Sequence, residues 1–413
     1  MVKFKPFKAI RPNPDYAKDI ASLPYDVVNR KEASDLVADN PYSYLHIDRS
    51  EVDLPDEENP YADAVYAKAA QNLQDFQAKG WLNKDISAMF YIYELQFMGR
   101  SQTGLVGVAS VEDYLNNAIK KHEFTRYEKE KDRIRHMDSC DANTSPIFLT
   151  YRDQASINTL IENWKNKHQP IYDFESFYDT QHRVWIVDDV NVQAHLQAAF
   201  EEQVPAMYIA DGHHRTESAA KVSMMRKEAG TLSETGANFL SVAFPVQQLH
   251  IFDYNRLVKT DLPTNFIERL SEDFEINSVA KDQRQPDEQG IIGLYFDNQW
   301  YHTKLKADKT ADDLVGRLDA SVVQTFIFNK LFNIENPRQD NRLDFVGGIK
   351  GMDVLEAAVD SGEASLAIAL YPTTTDDLLA VADAGEIMPP KSTWFEPKLL
   401  SGLFVHDLET KKK

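Results

Sequence analysis

The chain has 413 residues, 43% of them apolar, which is enough to build the cores of two or three domains. Its formal net charge of -20 disfavours a nucleic-acid-binding role, because a phosphate backbone is repelled by so acidic a protein. Cys140 is the only cysteine, which excludes an intrachain disulfide and a cysteine-based zinc site.

The first residues contain charges but lack the continuous apolar stretch of a signal peptide. No run in the sequence approaches the roughly 18–20 apolar residues that a membrane span needs. We therefore expect a cytoplasmic protein with no membrane partner.

The first part of the chain is predicted to alternate strands and helices. The spacing of apolar residues predicts a strand, a helix, a strand and a helix over residues 4–11, 31–39, 44–47 and 61–79. Two further β runs, 88–97 and 104–111, are joined by the turn-forming residues 98–101 and predict a hairpin. Because a hairpin is antiparallel, the sheet is not purely parallel.

The alternation continues through the rest of the chain. Helices are predicted over residues 127–141, 192–202, 213–229 and 321–332, with a further helix after Pro263. Strands are predicted over residues 147–151, 171–177, 184–187, 206–210, 239–246, 291–296, 300–306 and 365–371. This pattern predicts an α/β fold with mixed sheets.

Three domains are predicted from this order of elements. They are an N-terminal α/β lobe over residues 1–125, a central core over 126–258 and a C-terminal α/β lobe over 259–413. One integrated two-lobed unit is the alternative.

The strongest candidate site is the predicted strand–turn–helix at residues 210–215, which read ADGHHR. Asp211 can cap the helix, and Gly212 permits close approach of the backbone to a ligand. The N–H groups of a first helical turn bind anions, and His213, His214 and Arg215 add donors there. Adjacent helical side chains point about 100° apart, so the two imidazoles are poorly placed to share a metal ion. The alternative is a capped helix whose polar residues have no function.

Asp26 is the second candidate, in the loop that follows Pro24 and Tyr25. A carboxylate on this rigid approach can act as a base toward a hydroxyl or as a magnesium ligand. A structural turn is the alternative.

The third candidate concentrates cations and a carboxylate at residues 120–126 of an acidic protein. His122 and Glu123 can pair a proton carrier with a carboxylate. Arg126, and Arg133 shortly after it, can neutralise phosphate charge. A solvated helix face held by ion pairs is the alternative.

A fourth candidate lies near the C-terminus, where Lys391, Ser392 and Thr393 follow two prolines. The glycine pattern of a P-loop is absent, but a lysine and two hydroxyls on a rigid turn can still contact a phosphate.

Taken together, these segments resemble the family called domain of unknown function 1015. The resemblance rests on residues 24–28 (PYDVV), 40–46 (NPYSYLH), 121–125 (KHEFT), 142–148 (ANTSPIF), 210–215 (ADGHHR) and 388–393 (MPPKST). These motifs run almost from end to end of the chain.

The resemblance implies a ParB/sulfiredoxin-like core for phosphoryl transfer, flanked by additional α/β lobes. Free serine kinases of that superfamily use a similar turn at a nucleotide phosphate, which implies that Asp211 to Arg215 contact phosphate here. It also implies serine or phosphoserine as the substrate, ATP or ADP as the nucleotide, and Mg²⁺ held by Asp26 or Asp211. Those kinases carry an early catalytic glutamate, for which Asp26, Glu51 and Glu123 are the candidates.

The hypothesis is therefore a phosphotransferase or phosphatase acting on serine or phosphoserine, linked to serine metabolism. His213, His214 and Arg215 would stabilise charge on the phosphoryl group. Asp26 or Glu123 would act as the base. The alternative is a nucleotide- or metabolite-binding regulator without catalysis.

Overall fold

The computed structural model describes residues 1–56 and 58–411, which form two compact units. The first unit comprises Met1–Lys120, Thr125–Leu249 and the chain from Pro397 onward. The second comprises Lys121–Phe124 and His250–Glu396. In the described part of the chain, no helix is long and apolar enough to cross a membrane.

The first unit contains thirteen of the described strands and nine of the α-helices. Its strands are β1 Phe4–Lys5, β2 Ala9–Pro12, β3 Leu82–Lys84, β4 Phe90–Phe97, β5 Arg100–Ser110, β6 Ile119–Lys120, β7 Ala142–Asn143, β8 Ile147–Tyr151, β9 Tyr172–Ser176, β10 Thr180–Val187, β11 Met207–Asp211, β12 Asn238–Pro245 and β21 Val405–Asp407. Its helices are α1 Ala17–Ile20, α2 Arg30–Val37, α3 Leu45–Asp48, α4 Asp63–Ala78, α5 Val111–Leu115, α6 Tyr127–Cys140, α7 Ala155–Lys165, α8 Val190–Gln203 and α9 His213–Glu228.

A nine-stranded mixed sheet forms the centre of this unit, in the order β6-β11-β8-β12-β5-β4-β10-β9, with β1 also paired to β5. Strand β12 runs parallel to β8, whereas β11 runs antiparallel to β8. A smaller antiparallel sheet has the order β3-β2-β21-β7. The main core packs Phe4, Ile92, Leu149, Phe200 and Phe239, each fully buried or nearly so.

The second unit contains strands and helices from a single stretch of chain. Its strands are β13 Ile251–Phe252, β14 Tyr254–Val258, β15 Phe274–Val279, β16 Ile291–Phe296, β17 Gln299–Leu305, β18 Leu343–Gly347, β19 Leu366–Leu370 and β20 Trp394–Phe395. Its helices are α10 Phe266–Leu270, α11 Asp319–Val322, α12 Lys330–Phe332, α13 Met352–Asp360 and α14 Thr375–Asp383, with a π-helix at Val323–Asn329 joining α11 to α12. Six strands form an antiparallel sheet in the order β15-β17-β16-β19-β14-β18.

The predicted α/β class is confirmed, with mixed and antiparallel sheets. The predicted hairpin is β4 and β5, whose register pairs Phe97 with Arg100. Met98 and Gly99 take positive φ values of 48° and 74° at its turn, as tight hairpin turns require.

The predicted strand over residues 44–47 is wrong, because this segment is the helix α3. The backbone N–H of Asp48 bonds the carbonyl of Tyr44 at 3.0 Å, which is a helical contact. Leu45, Ile47 and Asp48 are all buried, so buried and exposed side chains do not alternate along this segment. Four residues are too few for periodicity to distinguish a strand from a buried helical turn.

The predicted strand over residues 4–11 is divided into β1 and β2. Pro6 lies between them and has no backbone N–H to donate to a sheet. Phe7 instead forms an isolated bridge with Met89.

The structural division of the chain differs from the predicted three domains. The predicted border at residue 125 crosses one sheet, since β4 and β5 pair with β10 and β12, which come later in the chain. The border near residue 258 lies close to Leu249, where the first unit gives way to the second. The residues after Glu396 return to the first unit, because β21 pairs with β2 and β7.

Candidate functional site

The segment at residues 210–215 forms the predicted strand–turn–helix. Asp211 is the last residue of β11, and the register with β8 shifts between Ile209 and Asp211. Such irregularities redirect a side chain at the end of a strand. Gly212 then takes a φ of 102°, a conformation that glycine adopts without strain, and α9 begins at His213.

Asp211 does not cap α9, contrary to the sequence prediction. The N-cap residue is Gly212, and no described side chain caps the helix through a hydrogen bond. Asp211 lies in the strand before the turn, and its carboxylate is 3.4 Å from Nζ of Lys398 and 4.0 Å from Nη2 of Arg215. It is therefore the anionic partner of two cations.

The charge of Asp211 is fixed by its surroundings. Burial by itself would raise the pKa of this carboxyl group, but Lys398, Arg215 and His213 together bring that pKa below its ordinary value. Asp211 is thus ionised at neutral pH and is a weak base. It can orient cations, but it is poorly suited to accept a proton.

Arg215 is buried, and its side chain points into the first unit. Its guanidinium donates a hydrogen bond to the carbonyl of Pro146. A Cβ atom added to Gly212 would lie 3.2 Å from Nε of Arg215, so the guanidinium packs directly beneath the turn. Arg215 also lines a small cavity with Arg133 and Tyr25.

This cavity brings two arginines together. Its volume of about 20 Å³ leaves room for about one water molecule or one oxygen of a larger ligand. The Arg133 guanidinium lies 3.9 Å from the centre of the Tyr25 ring and pairs with Asp132 at 2.8 Å. Thr144 and Ser145, which also line the cavity, donate hydrogen bonds to the buried carboxylate of Asp48.

His214 joins the start of α9 to the start of α6. Its Nε2 atom accepts a hydrogen bond of 3.0 Å from the backbone N–H of Arg126, the N-cap residue of α6. An imidazole nitrogen that accepts must be unprotonated, so in this arrangement the ring is neutral with its proton on Nδ1. That N–H can donate to an anion.

The two helices begin at the same end of the unit. Arg126 contacts His214, Ser218 donates to the carbonyl of Glu130 at 3.1 Å, and Arg226 pairs with Asp138 at 2.9 Å. Each of these pairs is 88 residues apart in the chain, so α6 and α9 run parallel. Their positive dipole ends lie side by side.

Asp26 lies in the first unit, in an exposed turn directly after the buried Tyr25. Burial lowers the pKa of Arg215, but the charges of Asp211 and Asp26 outweigh this effect and raise it. Asp26 is therefore close enough to Arg215 to interact with its charge. Of the predicted bases, it is the one that the first unit places beside the helix start.

His122 and Glu123 belong to the second unit, with Lys391, Ser392 and Thr393. Nε2 of His122 is 3.4 Å from Oγ1 of Thr393, and the His122 carbonyl accepts the N–H of Met388. Ser392 donates to the carbonyl of Pro389, which tightens the turn. The first unit thus contains Asp26, Arg126 and residues 211–215, and the second contains His122, Glu123 and residues 391–393.

The residues do not form a protein-only magnesium site. Within residues 1–56 and 58–411, no group of three or more His, Cys, Asp or Glu side chains could hold a metal ion. Asp211 lies between two cations, which disfavours a divalent cation at its carboxylate. Mg²⁺ usually binds through one or two carboxylates plus substrate phosphates, and Asp26 offers one such carboxylate.

One residue at this site, Lys398, was missed by the sequence predictions. Lys398 lies 187 residues from Asp211, and nothing in the sequence links the two. Arg133 was a predicted phosphate contact, and its spacing from Arg126 and Lys129 at i, i+3 and i+7 is the pattern of one helix face.

The family model described as "Protein of unknown function (DUF1015)" matches residues 4–321 of the chain. None of the curated proteins compared with the chain matches it.

Several solved structures are similar to the chain at low identity. A free serine kinase mutant in complex with AMP is 13% identical, with a TM-score of 0.38 over 72% of this chain and 91% of that one. SbnI with a C-terminal truncation, from Staphylococcus aureus, is 11% identical, with a TM-score of 0.38 over 72% of this chain and 85% of that one. A conserved hypothetical protein from Pyrococcus furiosus is 13% identical, with a TM-score of 0.35 over 72% of this chain and 94% of that one.

Proposed function

The chain belongs to the DUF1015 family, and we propose that it is an enzyme that transfers a phosphoryl group to or from serine, with the phosphate bound at the start of α9. The observation that carries this proposal is the concentration of positive groups around Gly212. Lys398 and Arg215 lie beside the turn, and Arg215 shares a cavity with Arg133. The net charge of the chain is -20, so three cations gathered at one helix start are a local feature that favours an anion there.

Phosphoryl transfer needs charge stabilisation and positioning more than covalent participation by the protein. The first-turn N–H groups of α9 point toward a ligand at its N-terminus. Arg215 and the Nδ1–H of His214 add donors to the phosphoryl oxygens, and His213 adds a third polar group. Arg215 is held by Pro146 and His214 by Arg126, so neither has to reorganise during the reaction.

Asp211 orients this site in the proposal. Its ionised carboxylate holds Lys398 and Arg215 next to the turn, where both can face the phosphate. Gly212 allows the backbone to approach the ligand. Mg²⁺, if it takes part, would bind with Asp26 and the phosphate oxygens.

Asp26 is the proposed base. It is exposed and close to Arg215, so it can reach a hydroxyl group or a water molecule at the phosphate. Glu123 of the second unit is the other candidate, and the phosphate-binding roles of His122, Arg126, Lys391, Ser392 and Thr393 are likewise proposals. Serine as the substrate, ATP or ADP as the nucleotide, and the ParB/sulfiredoxin-like core are supported by the motif resemblance alone.

The proposal is tested by ³¹P NMR on the full chain with Mg²⁺ in three mixtures. These contain phosphoserine alone, phosphoserine with ADP, and serine with ATP or ADP. Release of phosphate without nucleotide identifies a phosphatase, and nucleotide-dependent exchange identifies a kinase. Binding of nucleotide or phosphoserine without turnover in any mixture would refute the enzyme and support the regulator.

The proposed base is tested separately by Asp26→Asn, which should reduce turnover at least 100-fold. Asp39→Asn is the matched control, because Asp39 is likewise an exposed aspartate of the first unit and is not one of the proposed site residues. Equal activity in the two variants would eliminate Asp26 as the base.

A further inference from the structure

Helix α6 carries a row of cations at its start. Arg126 is the N-cap residue, and Lys129 and Arg133 follow at i+3 and i+7, so the three lie along one face. Arg49 is close enough to Lys129 for its charge to lower the pKa of that lysine. We call Arg49, Arg126, Lys129 and Arg133 the α6 cluster.

These cations are close enough to repel one another. Burial lowers the pKa of Lys129, and the charges of Arg126, Arg133 and Arg49 lower it further, against the opposing effect of Asp132. The anions nearby are already engaged, because Asp132 pairs with Arg133 at 2.8 Å and Glu51 pairs with Arg49 at 3.1 Å. An added anion would therefore relieve repulsion that the protein's own carboxylates leave in place.

The cluster lies beside the proposed phosphate site. The Arg126 N–H is bonded to His214, so the starts of α6 and α9 are in contact. Arg133 of the cluster and Arg215 of the phosphate site line the same cavity. The two groups of cations are therefore adjacent within the first unit.

Tyr25 lines the cavity between them, together with Arg133 and Arg215, and its side chain is 3% exposed. Burial raises the pKa of its hydroxyl group above the ordinary value. The hydroxyl group is therefore protonated at neutral pH and can donate a hydrogen bond to a ligand oxygen.

We propose that the α6 cluster binds a second anionic group of the ligand whose phosphate is held at the start of α9. This inference rests on the proposed function and specifies its ligand, which carries two negative groups a few bonds apart. Two sources share this chemistry. One is a pair of linked phosphates, and the other is a phosphate with a carboxylate, as in phosphoserine.

The test is isothermal titration calorimetry of the full chain with inorganic phosphate, pyrophosphate and phosphoserine. We expect at least one of the two larger anions to bind 10-fold or more tightly than phosphate. Preference for pyrophosphate identifies linked phosphates, and preference for phosphoserine identifies a phosphate with a carboxylate. Circular dichroism verifies that each variant below is folded.

Lys129→Ala should abolish this preference and leave the affinity for inorganic phosphate unchanged within about twofold. Lys131→Ala is the matched control, because Lys131 is exposed on the same helix and outside the cluster, and the preference should persist. Equal affinity for all three anions, or an equal loss for all three in Lys129→Ala, would overturn the inference while leaving the phosphate site in place. Absence of binding for every anion would overturn the proposed function as well.

Discussion

The backbone N–H of Arg126 donates a hydrogen bond to Nε2 of His214 across 3.0 Å. This bond ties the N-cap of α6 to the first turn of α9. It also determines which nitrogen of the ring carries the proton, because a protonated Nε2 could not accept. This one contact thus holds the start of α6 against α9 and leaves the proton of the His214 ring on Nδ1, where it can be donated.

The first prediction concerns this contact. His214→Ala removes the acceptor and leaves the N–H of Arg126 to water, so we expect the free energy of unfolding to fall by about 1 kcal/mol or less at this exposed site. His214→Gln can still accept through its side-chain oxygen and should lose less. Urea unfolding at neutral pH measures both variants. A larger loss in the glutamine variant would contradict the role of Nε2 as acceptor.

The second prediction concerns Arg215, which is buried and bonded to the carbonyl of Pro146. Arg215→Ala removes a charged donor from buried partners and should lower the free energy of unfolding by about 2–3 kcal/mol. Arg215→Lys keeps the charge and should lose less. Both variants lack the planar guanidinium, so we expect turnover to fall about 100-fold or more in each.

The two variants of Arg215 separate folding from function. Stability is measured by urea unfolding, and turnover by ³¹P NMR at a temperature where each variant is folded. Normal turnover in Arg215→Lys would show that a point charge is sufficient and that Arg215 makes no bidentate hydrogen bond to phosphate. Normal turnover in Arg215→Ala would remove Arg215 from the site.

The strand–turn–helix at residues 210–215 could be predicted from sequence because each part has a local signal. The strand is a short apolar run, Gly212 interrupts it, and the helix has apolar spacing beyond the histidines. The contacts of Asp211 were not predictable in this way. Its partner Lys398 reaches it only because the end of the chain returns to the first unit.

The errors of sequence analysis arose where local signals were short or competed with packing. The run at residues 44–47 has apolar residues suited to a strand. It forms a helical turn instead, which buries Leu45, Ile47 and Asp48. Asp211 has the chemistry of an N-cap, but β11 extends through it and Gly212 takes the cap position. The strand pairs that cross residue 125 were not predictable, because sheet pairing between distant strands leaves no local signal.

The third prediction concerns Gly212, whose φ is 102°. An alanine there is strained, and its Cβ would lie 3.2 Å from Nε of Arg215. Gly212→Ala should therefore weaken inorganic phosphate binding at least 10-fold, because the turn or the guanidinium must shift. Calorimetric titration with phosphate measures this effect.

Gly230→Ala is the matched control, after the other end of α9. Gly230 also has a positive φ, of 71°, but a Cβ there would meet nothing within 4 Å. Both variants should lose about 1 kcal/mol of stability from the left-handed backbone, and only Gly212→Ala should lose phosphate affinity. Equal affinities would show that the turn does not support the phosphate site.

The fourth prediction concerns Asp319, a buried carboxyl group of the second unit. Its Oδ1 atom accepts the N–H of Gly290 at 2.9 Å, whereas Oδ2 has no hydrogen-bond partner among the described residues. Burial and the charge of Asp377 raise the pKa of Asp319 to about 7, although the hydrogen bond from Gly290 and the charge of Arg256 oppose the shift. The protonated acid is therefore the form that the fold favours.

The raised pKa makes stability depend on pH in a defined direction. Between about pH 4, where aspartate titrates in an unfolded chain, and pH 7, the folded protein holds a proton that the unfolded chain has released. The contribution of Asp319 to the free energy of unfolding therefore falls as pH rises through that range, and it is constant at higher pH. Asp319→Asn removes the titration, so the free energy of unfolding of the variant relative to the wild type should increase by about 2–3 kcal/mol from pH 5 to pH 8. Urea unfolding of both proteins at the two pH values measures the difference, in which the other titrating groups cancel. A difference that stays constant with pH would show that Asp319 is ionised in the folded protein across this range.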